Sequence, residues 1–111
     1  MELKDQCVSL ELSKKLKELG VKQESYFVWH YIEGGTTVGL SEILHRQTIA
    51  SAFTVAELGL LLPEKTCWRN YKNYLGEWSF DFGDFTASAK TEADMRAKML
   101  IYLLEKKLIT L

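Results

Sequence analysis

Residues 91–109 read TEADMRAKMLIYLLEKKLI, and the rest of the chain is organised around this stretch. At about 100° per residue Ala93, Ala97, Leu100, Ile101, Leu104 and Leu108 fall on one face, with Met99 and Leu103 widening it. Asp94, Lys98, Glu105 and Lys106 lie opposite, so the spacing predicts an amphipathic helix. Thr91 is placed to accept the amide hydrogen of the third helical position, and Asp94 to reach back in the same way. Glu92 and Asp94 suit the positive end of the helix dipole, as Lys106 and Lys107 suit the negative end. Ala93 and Ala97 offer a low-relief surface on which a sheet can come close. This helix is expected to close the core.

Working back from it, Phe85 to Lys90 reads as a crossing segment through the small residues Thr86, Ala87, Ser88 and Ala89. Thr66 to Gly83 reads as a hairpin turning at Leu75-Gly76. With Tyr74 opposite Glu77, Arg69, Tyr71 and Asn73 share a face with Trp78, Phe80 and Phe82, which looks like core. Trp68, Asn70, Lys72, Tyr74, Ser79 and Asp81 share the other, a polar row holding two large aromatics. Residues 51–59, SAFTVAELG, announce a helix: Thr54 caps, Glu57 completes a capping box, and Phe53 can staple against Leu58. Pro63 keeps that helix short, because it disfavours helical geometry at Leu62 and cannot donate within a continuing helix.

Nearer the start, Tyr26 to Ile32 (YFVWHYI) is a strand whose two alternating sets are both largely apolar, which calls for cover on both faces. Gly34-Gly35 is a tight-turn pair, so Thr36 to Leu44 is expected to return antiparallel, with Gly39 a candidate bulge. His45 to Ala50 reads equally as a short third strand or a loop. Val8, Leu12, Leu16 and Leu19 recur at helical spacing, with Ser9 as cap and Gly20 as the left-handed residue that ends the helix. Val21 can then fold back on Leu16. Lys14, Lys15 and Lys17 share this helix with Glu11 and Glu18, a solvated face rather than a basic patch. The order α-β-β-α-β-β-α implies an α+β fold on a mainly antiparallel four-stranded sheet, as one domain over residues 1–111.

Composition narrows the function classes. Fourteen basic and 15 acidic residues give a formal charge of -1, no field for holding a polyanion or an anionic membrane, so nucleic acid is disfavoured. No apolar run approaches the roughly 20 residues of a membrane span, and Met1 to Ser9 is too acidic for a signal peptide. A cytoplasmic protein is expected, with Cys7 and Cys67 reduced and in no ligand-type spacing.

Candidate chemistry is thin. Asp81-Phe82-Gly83 spells a kinase metal-binding triplet, but the chain has neither the glycine-rich loop nor the catalytic loop that gives it meaning. His30 and His45 could serve Cys67 as a base, or all could converge on zinc with Cys7, yet no spacing orients them. Glu77, Asp81 and Asp84 run beside Lys65, Arg69 and Lys72, a pattern of cross-strand neutralisation rather than acid/base catalysis. No catalytic residue, metal or cofactor is therefore predicted. WRNYKNYLGEW interleaves aromatics with Arg69 and Lys72 as single-strand binders do, though its return strand is acidic.

SAFTVAELG (51–59), LPE (62–64) and TEADMRAKMLIYLLE (91–105) resemble small proteins carried by bacterial phages and prophages. The C-terminal part is similar to the phage α-β-α sandwich domain, and SLELSKKLKELGVKQESYFVW (9–29) also looks like members of that group. The resemblance implies a phage-derived gene and a bacterial cytoplasm, and brings no catalytic or ligand residues with it. A non-enzymatic accessory protein acting through a protein partner or self-association is expected first, single-stranded nucleic-acid binding through the 66–83 hairpin second, and a small enzyme third. The expected contact surface is Trp68, Asn70, Lys72 and Tyr74, because large aromatics in a polar row are what binding hot spots favour.

Overall fold

The computed structural model describes residues 2–40, 48–62, 68–82 and 85–109, with the backbone alone at 68–70 and 82. Its elements run α1 (Leu3–Gln6), α2 (Leu10–Glu18), β1 (Phe27–Ile32), β2 (Gly35–Leu40) and β3 (Thr48–Ser51). The second half runs α3 (Val55–Leu61), β4 (Trp68–Lys72), β5 (Trp78–Phe82), β6 (Phe85–Ala89) and α4 (Glu92–Glu105). The α+β class is as expected, but the single four-stranded sheet is not. The strands form two antiparallel three-stranded sheets, ordered β2-β1-β3 and β4-β5-β6. Each hairpin has recruited its own short third strand, so neither needs the other to satisfy its backbone.

The third strands lie where the sequence was least periodic. Thr48–Ser51 pairs with β1, with a register shift between Trp29 and His30 rather than a bulge at Gly39, which stands regularly opposite Val28. Residues 41–44, expected to continue the returning strand, lie outside the described residues. Phe85–Ala89 is not a crossing segment; it pairs along β5 from Phe82↔Phe85 to Trp78↔Ala89. Its small side chains serve the packing: Phe85, Ala87 and Ala89 join the apolar cluster with α4's Ala93 and Ala97, a low-relief contact between helix and strand.

Helix α4 occupies the centre, against β5 and β6 on one side and α2 and α3 on the other. Ala93, Met95, Ala97, Met99, Leu100, Ile101 and Leu103 are all buried, a wider face than one stripe of the helix would supply. Thr91 caps it, accepting from the Asp94 amide at 3.2 Å. The Asp94 carboxylate does not reach back; Oδ1 accepts from the Ser9 amide at 2.7 Å, tying the start of α2 to the start of α4. Ser9 in turn makes no side-chain cap on α2.

The two longest helices, α2 and α4, close with the same C-terminal motif. After α2, Val21 donates to the Leu16 carbonyl and Gly20 to that of Lys17, with Gly20 at φ 91°. After α4, Leu108 donates to Leu103 and Lys107 to Leu104, but the left-handed residue is Lys107 at φ 57°. The helix therefore stops short of Ile109, and Leu108, expected on the buried face, is 53% exposed. A lysine held left-handed is strained by its Cβ, so Lys107→Gly is expected to raise stability by about 0.5–1 kcal/mol in urea unfolding.

The first sheet is covered less than its sequence calls for. In β1 only Val28 is buried, while Tyr31 and Ile32 are 55% and 49% exposed. The main apolar cluster draws on α2, α3, β5, β6 and α4 and on no residue of β1 or β2.

Candidate functional site

The second hairpin turns on Asn73. Its amide donates to the Glu77 carbonyl, its own carbonyl accepts from Gly76, and its Oδ1 accepts from the Leu75 and Glu77 amides at 2.9 and 3.1 Å. Gly76 at φ 79° completes a three-residue loop, not the two-residue turn at Leu75-Gly76 expected from the sequence. The change moves the register by one residue: Tyr71 stands opposite Ser79 and Lys72 opposite Trp78. In an antiparallel pair a one-residue shift exchanges the faces of a whole strand.

The expected grouping of Tyr71 with Phe80 is thus corrected. Phe80, 1% exposed, and the half-buried Trp78 join the core, while Tyr71 belongs with the polar face. There its hydroxyl donates to Asp81 Oδ1 at 3.0 Å, and the Thr86 hydroxyl donates to the same oxygen at 3.0 Å. Asn73 Nδ2 donates to Ser79 Oγ beside them. Asp81, the first residue of the kinase-like triplet, is thus glue across three strands.

The four expected contact residues separate accordingly. Trp68 and Asn70 stand opposite Phe82 and Phe80 in the backbone register of β4 and β5. Lys72 sits with its Nζ 5.1 Å from the centre of the Trp78 ring, a cation over an aromatic face. Tyr74 is in the turn, 94% exposed, next to Leu75 at 66%. Lys72 and Trp78 line a cleft of about 470 Å³ with Lys90, Thr54, Thr91 and Glu92.

A larger cleft, about 670 Å³, lies between the 20–26 segment and α3, walled by Val21, Phe53, Tyr26, Leu60 and Leu61 with Glu57 at its edge. Glu57 closes the expected capping box, taking the Thr54 amide at 2.9 Å while its own amide donates to Thr54 Oγ1. The same carboxylate also accepts from Ser25 Oγ at 2.9 Å and the Tyr26 amide at 3.1 Å, so it clasps the entry to β1 onto α3. A carboxylate so fully engaged holds structure, and the cleft beside it is mainly apolar, with Lys22 and Glu24 also on its lining.

His30 lies in β1, while His45 and Cys67, its expected companions, fall outside the described residues, as do Lys65 and Asp84. Among the described residues no group of three or more histidine, cysteine or acidic side chains could hold a metal ion. No helix among them is long and apolar enough to cross a membrane. Cys7 is buried beside Thr54, and burial, assisted by the Glu57 charge, pushes its thiol up to about 11. The folded state therefore holds the Cys7 proton through a range in which the unfolded chain releases it. Stability is expected to fall as pH rises from about 9 towards 11, more steeply than in Cys7→Ala, as read by urea midpoints of the two proteins.

Sequence reasoning missed the apolar side chains left uncovered on the first sheet, Tyr31, Ile32 and Leu40, the last 47% exposed. The signal was present in the two-sided apolar pattern of YFVWHYI, which calls for more cover than the described residues supply. Compared with known proteins, the chain matches no family model, no curated protein and no solved structure.

Proposed function

We propose that this chain is a non-enzymatic accessory protein of phage or prophage origin, working in a bacterial cytoplasm through contact with another protein. The observation that carries the reading is the tip of the second hairpin. Tyr74 and Leu75 project into solvent from a turn locked by three hydrogen bonds to Asn73 and by Gly76. A large aromatic held in advance loses little entropy on binding, which is what makes such residues hot spots. Lys72 over Trp78 extends the surface along β4 towards Asn70 and Trp68.

The same cation and aromatics could stack a nucleotide base, the reading kept second. Asp81 and Glu77 on the return strand and the charge of -1 weigh against it. Capture from a bacterial lysate with immobilised protein, with and without nuclease, separates the two. A stoichiometric protein that survives nuclease and is lost at least tenfold with Tyr74→Ala, at unchanged thermal midpoint, supports the protein contact. Binding abolished by nuclease, or indifferent to Tyr74→Ala, overturns it. Trp68→Ala then marks how far the surface extends: lost capture at wild-type stability includes position 68, and a drop of about 3 kcal/mol assigns it to the core.

A further inference from the structure

The two sheets expose strand edges, and the fold treats those edges differently. On β3 the Ile49 carbonyl accepts from Lys17 Nζ at 2.9 Å, and the Ser51 amide donates to Gln23 Oε1 at 2.6 Å. On β6 the Ser88 carbonyl accepts from Lys98 Nζ at 2.7 Å. Side chains thus occupy backbone groups that would otherwise template another strand. At the remaining edge of the first sheet, β2 pairs with β1 on one side, and among the described residues nothing else bonds its backbone. Its sequence, GTTVGL, holds no charge and no proline, the two devices that ordinarily blunt an edge.

Helix α1 packs against β2 and the Trp29 indole donates to the Val8 carbonyl, yet several side chains around that edge stay exposed. The register puts Thr36, Val38 and Leu40 on the face of Tyr31, Trp29 and Phe27, with Thr36, Leu40 and Tyr31 exposed. We propose that β2 is the pairing edge of a two-fold homodimer, its strand running antiparallel to the β2 of a second copy and joining two three-stranded sheets into one of six. A two-fold axis normal to the sheet sets the Thr36, Val38, Leu40 rows of the two copies side by side on one face, doubling the apolar stripe. The occupant is a second copy because the edge matches itself. No like charges meet across it, and a chain of net charge -1 carries little repulsion between copies. Main-chain bonds along six residues give affinity, and Tyr31, Ile32 and Leu40 add the apolar area that a short strand lacks. The inference deepens the binding reading by naming one partner, and it stands on a surface separate from the Tyr74 tip.

Sedimentation velocity of the full chain from roughly 1 to 500 μM is the test, a range spanning the affinities of small interfaces. The wild type is expected to pass from 12.8 kDa to twice that mass as concentration rises. Thr36→Lys with Leu40→Lys, both at exposed positions, should stay at monomer mass with an unchanged thermal midpoint. Hydrogen exchange on the wild type localises the contact without any substitution: amides of 35–40 should gain protection with concentration, and those of 73–77 should not. A wild type monomeric throughout, a dimer indifferent to the paired lysines, or protection arising elsewhere overturns the proposal. A monomer that still captures a protein through Tyr74 would leave the binding function standing and remove only self-pairing.

Discussion

Phe80→Ala is expected to lower stability by about 3–5 kcal/mol, the largest loss of any single truncation in the second sheet. Phe80 is 1% exposed in the middle strand, and its ring lies 5.7 Å from that of Phe85 on the neighbouring strand. Phe85 in turn stacks on Tyr102 of α4 at 4.0 Å, so a cavity at Phe80 loosens both the sheet and its seat on the helix. Removing the ring forfeits its transfer free energy and leaves a void that the rest of the apolar cluster, its flexible methionines Met95 and Met99 included, fills only in part. Chemical unfolding followed by tryptophan fluorescence checks the value. A loss below about 1 kcal/mol would place Phe80 outside the core and restore the register in which Tyr71 shares its face.

Glu57→Ala should cost about 3 kcal/mol, although Glu57 is only half buried and sits on a helix of seven residues. Its carboxylate accepts from the Thr54 amide and hydroxyl, from Ser25 Oγ and from the Tyr26 amide. Hydrogen bonds to a charged acceptor contribute more than neutral ones, and the alanine leaves the Thr54 amide at the start of α3 unsatisfied. Glu57→Gln is the informative companion, because it keeps the shape but presents an amide donor to groups that are themselves donors. It should fall between the wild type and Glu57→Ala in urea midpoint. Equal midpoints for all three proteins would show that the clasp between β1 and α3 contributes nothing.

What was legible in the sequence was whatever is decided within about four residues along the chain. The Thr54–Glu57 capping box, the Thr91 cap, the Gly20 closure with Val21 folded onto Leu16, and the extended Leu62 before Pro63 all depend on neighbours in sequence. The α4 stripe was legible for the same reason, since one turn of helix sets which residues share a face. The candidate site was legible only as composition: Lys72 and Tyr74 were picked out as an aromatic and basic row, without the geometry that separates them.

Tertiary structure decided the rest, wherever a short-range ambiguity was settled by a distant partner. Two turns were compatible with Tyr74-Leu75-Gly76, and the Asn73 side chain selected the longer one. That choice sent Tyr71 to the polar face through a single residue of register. The Asp94 carboxylate could cap its own helix or bind Ser9, 85 residues away, and the folded chain brought Ser9 to it. Thr48–Ser51 and Phe85–Ala89 are too short and too polar or small to announce strands, and they became strands because β1 and β5 offered open edges beside them. For β2 no described strand pairs at its outer edge, although α1 packs against it: the uncharged edge is written in the residues, but whether such an edge is covered depends on what the fold places next to it.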